Sequence, residues 1–241
     1  MTDGNKILII TPTYNEIENI QVFIDAVLLL NLDLLLVDDN SPDGTAQKVK
    51  ESPMYNKKIF LIERSHKMGL GSAYREGFYW FMQSKYTHCI EMDVDQSHTF
   101  KDLKKIISNL NHNDMVIGSR YISGGGSIGW SIKRRMLSKY ANLTAKYLLK
   151  SKINDLTSGF RSFNKKSLNV IDYKNLTSNG YSFQIETAFM AENANLKILE
   201  VPITFEERSF GQSKMDFRIK IEALNLLLKL YIKKKNSNHP K

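Results

Sequence analysis

The stretch Cys89-Ile-Glu-Met-Asp-Val-Asp95 predicts a buried strand that ends in two carboxylates. In an extended chain, residues i and i+2 point the same way and lie about 7 Å apart, so Asp93 and Asp95 face one side. Two such carboxylates can share a hard divalent cation with water and phosphate oxygens. The pattern also fits a turn after the strand, in which Asp95, Ser97 or Thr99 caps the helix that starts near Phe100. The rest of the chain has to decide between these two interpretations.

Strand and helix patterns alternate from residue 6 to about residue 120. The predicted strands cover residues 6–11, 32–37, 58–63, 88–92 and 114–118, and Pro12 is expected to end the first of them. Such alternation implies right-handed crossovers and a mostly parallel sheet, so the fold class is α/β. Polar clusters at residues 13–16, 38–43 and 93–98 each follow a predicted strand. They are therefore expected together at the carboxyl edge of the sheet, where ligands of such folds bind.

The second half of the chain predicts two further amphipathic helices. Residues 131–150 form a long helix with basic first turns, and residues 215–235 form a last helix with a lysine-rich end. Residues 197–205 predict a strand whose internal Pro202 favours an edge position. A helix at residues 182–195 carries Glu186, which is expected on its surface.

Composition and charge narrow the class of protein. The 241 residues, 42% hydrophobic and 24% charged, suit one large globular domain or two small ones. A net charge of +9, concentrated in the second half, suits an anionic surface or a phosphorylated substrate. The basic residues lack the interleaved aromatics of a nucleic-acid platform, so nucleic acid is not expected as a partner. A single cysteine, a polar N-terminus and no apolar run near the ~20 residues of a membrane span predict a cytoplasmic setting.

Ordered motifs along the chain resemble the family 2 glycosyltransferases of GT-A fold. The first five are Pro12-Thr-Tyr-Asn-Glu16, Val37-Asp-Asp-Asn-Ser-Pro-Asp-Gly-Thr45, Gly69-Leu-Gly-Ser-Ala-Tyr74, Asp93-Val-Asp95 and Gly118-Ser-Arg-Tyr121. Later ones include Trp130, Lys133-Arg134, Ser158-Gly-Phe160, Tyr181-Ser-Phe-Gln-Ile-Glu186, Glu200-Val-Pro-Ile203 and residues 208–214. Within the family, the set is most similar to the dolichyl-phosphate or polyprenyl-phosphate mannose synthases. The resemblance implies a Rossmann-like α/β/α sandwich at residues 1–216, followed by a basic amphipathic helix and tail at 217–241.

The resemblance also implies roles for individual residues. The implied donor site, for a nucleotide sugar, comprises Pro12, Tyr14, Glu16, Val37, Asp39, Asp93, Val94, Asp95, Arg208 and Lys214. Asp93 and Asp95 would hold Mg²⁺ or Mn²⁺, and Arg208 and Lys214 would close over the diphosphate from a mobile loop. The implied acceptor-phosphate site comprises Arg120, Arg134 and Ser138. Some members place a glutamine as third metal ligand where this chain has Ser97, with Gln96 one residue earlier, so the third ligand stays open.

The implied activity is inverting transfer of mannose from GDP-mannose to a polyprenyl or dolichyl monophosphate, with Asp93, Asp95, Arg120 and Arg134 as catalytic residues. The alternatives are transfer of glucose or an N-acetylhexosamine from a UDP donor, another acceptor, or a non-catalytic sugar-nucleotide-binding protein. The lipid acceptor implies a peripheral position at the cytoplasmic face of a membrane, or a small membrane-anchoring partner. Three local alternatives stay open. Lys133 and Arg134 can be a solvated helix start instead of acceptor contacts, and residues 69–71 can be a plain helix entry or a phosphate contact. The last helix can pack on the core or contact a membrane.

Overall fold

The computed structural model describes residues 5–180, 182–207 and 225–232, which form a central sheet between two layers of helices. The strands are β1 (Ile7–Thr13), β2 (Asp33–Asp38), β3 (Ile59–Glu63), β4 (His88–Glu91), β5 (Met115–Ser119), β6 (Gly126–Ile128), β7 (Arg161–Asn164), β8 (Ile198–Pro202) and β9 (Thr204–Glu206). The helices are α1 (Ile17–Leu29), α2 (Thr45–Lys50), α3 (Leu70–Gln83), α4 (Phe100–Ile107), α5 (Ile132–Leu149), α6 (Lys165–Ile171) and α7 (Ser182–Asn193). Short 3-10 turns cover Leu110–His112 and Tyr173–Asn175, and residues 225–232 are helical.

The central sheet has seven strands in the order β3-β2-β1-β4-β7-β5-β8. All of its strands run parallel except β7, which pairs antiparallel with both β4 and β5. This confirms the predicted α/β fold with a mostly parallel sheet. The chain order reverses between β1 and β4, because β2 lies on one side of β1 and β4 on the other. The loops that follow β1 and β4 therefore lie side by side at the carboxyl edge, where ligands bind in sheets of this kind, and the space above them is called the crevice below.

Each face of the sheet carries its own hydrophobic core, which confirms the predicted three-layer sandwich. One core joins the sheet to α1, α2 and α4, with Phe23, Val49 and Leu103 among its buried residues. The other joins the sheet to α3, α5, α6 and α7, with Phe78 and Phe183 at its centre. Since both faces are covered, the strands consist of nearly continuous apolar residues, as the sequence indicated.

Pro12 does not end the first strand, contrary to the prediction. Strand β1 continues to Thr13, and Pro12 pairs in register with Val37 of β2. The carbonyl of Ile10 accepts a hydrogen bond from the Met92 N–H on the β4 side, so Pro12, two residues later, faces that side as well. Strand β4 has already ended at Glu91, so the missing N–H of proline leaves no ladder bond unmade.

The predicted strand at residues 197–205 divides at Pro202. Strand β8 is the edge of the central sheet, as predicted, whereas β9 leaves it and pairs with β6 in a separate two-stranded sheet. The Ile203 N–H still donates to the Ser119 carbonyl, while the Ile203 carbonyl accepts from Gly126 of β6. This change of partner brings Phe205 and Glu207 to the carboxyl edge of the main sheet.

The described part of the last helix packs on the domain. Leu226, Leu227 and Leu230 are buried in the core that contains α3 and α7, while Tyr231 and Ile232 are exposed. Core packing is thus observed for residues 225–232. The boundary predicted between residues 216 and 217 lies outside the described residues and stays a prediction. Within the described ranges, no helix combines the length and hydrophobicity needed to cross a bilayer.

Candidate active site

Asp93 and Asp95 lie at the carboxyl edge, in the turn between β4 and α4. The turn is attached to β1, because the Thr11 hydroxyl donates to the Met92 carbonyl at 2.9 Å. Ser97 orients Asp95, since its N–H and its hydroxyl both donate to Asp95 Oδ1, at 3.0 and 2.6 Å. The side chain of Asp95 is buried, whereas that of Asp93 is 32% exposed. The structure therefore places the two carboxylates at the carboxyl edge of the sheet, as the sequence predicted.

The carboxylate pair fits a hard divalent cation that takes its other ligands from the substrate. Among the described residues, no group of three His, Cys, Asp or Glu side chains is arranged to hold a metal. The Ser97 hydroxyl, a candidate third ligand, is buried and points its proton at Asp95. Magnesium sites commonly use one or two carboxylates together with substrate phosphates and water, and Asp93 and Asp95 match that ligand set.

His98, which the sequence analysis did not single out, fixes the backbone of the carboxylate turn. Its Nδ1 accepts a hydrogen bond from the Asp93 N–H at 3.1 Å, so its proton resides on Nε2. The imidazole stacks on Phe160 with ring centroids 4.6 Å apart, and the edge of Phe205 meets it at 5.4 Å. His98 therefore connects the carboxylate turn to β9. In the sequence, only the position of His98 five residues after Asp93 pointed to a role in this turn.

The loops after β1 and β2 form the predicted donor side of the crevice. Asp43 joins them, because its carboxylate accepts hydrogen bonds from the N–H groups of Ile17 at the start of α1 and Thr45 at the start of α2. Tyr14 is half-buried, and the ammonium of Lys67 lies 3.9 Å from the centre of its ring. Glu16, two residues further along the chain, accepts from Asn19 at 2.9 Å. Tyr14 in the loop after β1 is thus in contact with Lys67 in the loop after β3.

Asp39 reaches the same edge but is already bound by protein groups. Its Oδ1 pairs with Arg64 at 2.6 Å, and its Oδ2 accepts from the Gly69 N–H at 3.0 Å. Both Asp39 and Arg64 are buried, and Arg64 also donates to Ser72 of α3. Asp39 therefore holds the loop before α3 in place. Its predicted contact with the donor nucleotide stays a prediction.

Two residues of the predicted donor site have buried side chains. The side chain of Val37 is fully buried, 0% exposed, in the core between β2 and α3. That of Val94 is buried in the core on the opposite face. Alternation along β2 turns the Val37 side chain into the core, and Val94 packs into the other core from the turn after β4. Their predicted contacts with the donor, through backbone atoms, stay predictions. Pro12 is half-buried at the end of β1, on the crevice side.

The glycine loop at residues 69–71 packs against the segment before α7, and its contact with a phosphate stays a prediction. The Gly71 N–H donates to the Asn179 carbonyl at 2.9 Å. A Cβ on Gly71 would lie 2.3 Å from the Ser178 carbonyl oxygen, so only glycine allows this approach. Glu186, predicted on a helix surface, is instead buried and accepts from the N–H groups of Thr177 and Ser178 at 3.0 to 3.2 Å. Glu186 thus fixes Thr177 and Ser178, and Ser178 packs against Gly71.

Arg120, the first predicted acceptor cation, is largely committed to the protein. Its Nε and Nη2 donate to the two carboxylate oxygens of Asp155 at 2.8 Å, and Nη2 also donates to Thr157. Burial would lower the pKa of Arg120, but the charge and hydrogen bonds of Asp155 raise it above its usual value. The guanidinium lies 5.8 Å from the Trp130 ring and 5.6 Å from the Phe205 ring. Only its Nη1 edge makes no hydrogen bond to a described residue.

Arg134, the second predicted acceptor cation, also lies beside Trp130. Its guanidinium is 4.4 Å from the Trp130 ring, and Nη1 pairs with Glu207 at 2.8 Å. It lies in the first turn of α5, which is capped by Ser131 and contains no acidic residue. A helix start attracts anions, so this turn adds positive potential to that of Arg134. The Arg134 side chain, 39% exposed, is held by Glu207 and Trp130, whereas Lys133 is exposed, and the predicted role of Arg134 in binding the acceptor stays a prediction.

Ser138, one turn further along α5, shares a hydrogen bond of 2.7 Å with the Tyr121 hydroxyl. Tyr121 follows Arg120, so this bond ties α5 to the loop after β5. The structure therefore brings Arg120, Arg134 and Ser138 together at one end of the carboxyl edge, and their binding of the acceptor phosphate stays a prediction. Asp93 contributes to raising the pKa of Arg120, so the electrostatic field of the carboxylate turn reaches this end.

A buried polar cluster beneath the carboxylate turn was missed by sequence reasoning. Glu91 and Arg161 are both fully buried, and Gln184 donates to Glu91 at 2.9 Å. Burial raises the pKa of Glu91 to about 8 and lowers that of Arg161 to about 10. Tyr74 is coupled to this cluster, because burial and, second, the charge of Glu91 raise the pKa of its hydroxyl. An apolar strand pattern gave no signal for this cluster, whose partners come from β4, β7 and α7.

Arg208 and Lys214, predicted to close over the diphosphate, lie outside the described residues, as does Tyr181 of the later motif. Both cations stay predictions. The last described residue before them, Glu207, lies beside Arg134, so the chain enters that segment at the acceptor end of the crevice.

The structure combines a mostly parallel sheet, two carboxylates at its carboxyl edge and the cations Arg120 and Arg134 in one α/β fold. The chain belongs to glycosyl transferase family 2, whose family model matches residues 8–172. It is therefore a glycosyltransferase, and the resemblance seen in its motifs is confirmed.

Curated relatives agree with this assignment, and a solved structure shares the fold. The chain is 39% identical over 214 residues to the polyprenol monophosphomannose synthase of Mycolicibacterium smegmatis, covering 87% of this chain and 81% of that protein. It is 37% identical over 223 residues to the undecaprenyl-phosphate mannosyltransferase of Micrococcus luteus, covering 91% of each. Its fold matches glucosyl-3-phosphoglycerate synthase from Mycobacterium tuberculosis, solved with Mn²⁺, UDP-glucose and phosphoglyceric acid, with a TM-score of 0.69 at 15% identity over 95% of this chain and 80% of that one.

Proposed function

We propose that this glycosyltransferase moves a mannosyl group from GDP-mannose to a polyprenyl monophosphate, with inversion at the anomeric carbon. The observation that carries the proposal is one crevice with paired carboxylates at one end and a cation-bearing helix start at the other. Asp93 and Asp95 lie in the turn after β4, and Arg134 lies in the first turn of α5. Two relatives with mannosyltransferase names, at 37% and 39% identity, support the choice of sugar and lipid.

The donor would lie across the ends of β1 and β4. Tyr14 and Glu16 line the nucleotide side, and Asp93 and Asp95 would hold Mg²⁺ or Mn²⁺ against the diphosphate. The bound cation would neutralise the charge that develops on the leaving diphosphate. Ser97 and His98 contribute by orienting the Asp95 carboxylate and the Asp93 backbone, so that little reorganisation accompanies the reaction.

The acceptor would be bound by its phosphate. A phosphate monoester oxygen is already anionic near neutral pH, so the attack requires no strong general base. Arg134 would orient that oxygen, with the Nη1 edge of Arg120 and the Ser138 hydroxyl beside it. Catalysis at this end is then chiefly positioning of the nucleophile in line with the anomeric carbon. A single displacement converts an α-linked donor into a β-linked lipid sugar.

Helix α5 supports a lipid acceptor and a peripheral membrane position. Ile132, Leu137 and Tyr140 are 75%, 60% and 62% exposed, far more than apolar side chains in a core-packed helix. Lys133 and Lys139 are exposed on the same turns. A helix that mixes exposed apolar and basic side chains suits an anionic membrane surface. We infer that α5 delivers the lipid phosphate to Arg134 from the cytoplasmic face of the membrane; a small anchoring partner subunit is the alternative.

The test is transfer to undecaprenyl phosphate in detergent with Mn²⁺, using GDP-mannose, UDP-glucose or UDP-N-acetylglucosamine as donor. We expect lipid-linked sugar from GDP-mannose, and loss of the metal-dependent rate in Asp93→Asn and Asp95→Asn. The matched control is Asp25→Asn, an exposed carboxylate on α1. Product from a UDP donor alone would refute the mannosyl assignment, and near-normal metal-dependent turnover in either variant would refute the metal site.

A further inference from the structure

Glu207 places a carboxylate on the cation that the proposed acceptor site uses. Its Oε1 lies 2.8 Å from Arg134 Nη1, and both side chains are partly exposed, at 48% and 39%. No other carboxylate is paired with Arg134 among the described residues. A carboxylate and a phosphate monoester bind a guanidinium in the same way, through oxygen atoms in its plane. The pair therefore occupies the position that an acceptor phosphate would take.

The backbone around Glu207 is built to hold it there. Its N–H donates to the Ile128 carbonyl at 3.0 Å, which extends the β6–β9 ladder. Gly129 allows the close approach, because a Cβ there would lie 2.7 Å from Glu207 Cβ, and its φ of 82° also favours glycine. The backbone is thus fixed while the carboxylate is held by one exposed ion pair. The side chain can leave Arg134 by rotating, without any movement of the sheet.

We propose that Glu207 is a specificity-determining residue that acts as an internal stand-in for the acceptor phosphate. It occupies Arg134 until a phosphate displaces it, and so selects for acceptors that carry a strong negative charge. The inference rests on the proposed function, because it takes Arg134 as the acceptor cation. A doubly charged phosphate monoester outcompetes a single carboxylate, whereas an uncharged polyprenol does not.

The size of the effect follows from the exposure of the pair. Exposed ion pairs contribute about 0.2–1 kcal/mol, so Arg134 is paired with Glu207 for most of the time but not all of it. Ligand affinity is reduced by the fraction of protein in which the site is free. Removing the competing carboxylate should therefore tighten phosphate binding about two- to sixfold.

The experiment measures binding of farnesyl monophosphate, a water-soluble prenyl phosphate, and of uncharged farnesol by titration calorimetry. We expect Glu207→Gln to bind farnesyl monophosphate about two- to sixfold more tightly than the wild type, with no change for farnesol. The matched control is Glu206→Gln, which removes the same charge one residue earlier, on the opposite face of the strand. It should leave both affinities unchanged.

A double-mutant cycle separates competition for Arg134 from a general change in charge. In an Arg134→Ala background, Glu207→Gln should give no gain, because the pair no longer exists. Unchanged or weaker binding of farnesyl monophosphate by Glu207→Gln would overturn the inference, as would an equal gain in Glu206→Gln. A wild-type protein that neither binds the prenyl phosphate nor transfers sugar to undecaprenyl phosphate would instead refute the proposed function, and the inference with it.

Discussion

Replacing Asp155 by asparagine removes the charge that neutralises Arg120 and keeps the size of the side chain. The same acid-to-amide change in Glu207 removes the partner of Arg134. The two arginines lie near the same ring, Trp130, but the Arg120–Asp155 pair is 9% and 0% exposed, whereas the Arg134–Glu207 pair is 39% and 48% exposed. The two substitutions therefore compare one chemical change at two levels of burial.

Burial decides the expected magnitudes. Leaving one charge of a buried pair without its partner costs about 3–5 kcal/mol, whereas exposed pairs contribute about 0–1 kcal/mol. Asp155 also accepts hydrogen bonds from the Arg120 N–H and from Thr157, so asparagine in its place would leave donors facing donors. For a domain of this size, 1 kcal/mol shifts Tm by about 2–4 °C. Asp155→Asn should therefore lower Tm by about 6–20 °C, and Glu207→Gln by less than about 4 °C.

The assay is thermal and urea unfolding of both variants beside the wild type, followed by circular dichroism. Arg120→Met in the Asp155→Asn background serves as a check, because removing the stranded charge should recover part of the lost stability. Equal losses in the two single variants would refute the assignment of Arg120 to a buried structural pair. The small effect in Glu207→Gln also means that its altered phosphate affinity can be measured on a folded protein.

Three further predictions follow from the packing, the buried carboxyl group and the exposed helix. Gly71→Ala should lower the free energy of unfolding by about 1–3 kcal/mol, because its Cβ would lie 2.3 Å from the Ser178 carbonyl oxygen. Gly126→Ala, whose Cβ would meet no atom within 4 Å, should leave stability unchanged. Equal melting temperatures of the two variants would contradict this. Burial raises the pKa of Glu91 from 4.5 to about 8, so the free energy of unfolding of the wild type falls as the pH rises between these two values. Glu91→Gln has no proton to lose, so its free energy of unfolding should rise relative to that of the wild type by up to about 5 kcal/mol over the same pH range. Parallel pH profiles of the two proteins in urea unfolding would refute this prediction. Leu137→Glu, on α5, should weaken co-sedimentation with anionic phosphatidylglycerol vesicles, while Val22→Glu, at an equally exposed position on α1, should not; equal loss in both would count against α5 as the membrane face.

Asp93 and Arg120 differ in how much of their surroundings the sequence predicts. The position of Asp93 follows from local pattern alone, since an apolar strand followed by carboxylates in a parallel sheet has one edge at which to end. The partner of Arg120 is 35 residues away in the chain, so its commitment to Asp155 depends on how β5 and the loop before β7 meet. Val37 shows the same limit. Its motif pointed to the donor, but packing against α3 buried its side chain.

The sequence by itself determined the alternation of strands and helices, the sandwich and the carboxylates at its carboxyl edge. These features depend on hydrophobic period and chain order, which can be read within windows of ten to twenty residues. Only the tertiary structure decided which charged groups are free to meet a ligand. It committed Asp39 to Arg64 and Arg120 to Asp155, and it placed Glu207 on Arg134. Each of these pairs joins residues far apart in the chain, and the strength of each depends on burial, which no local pattern of residues specifies.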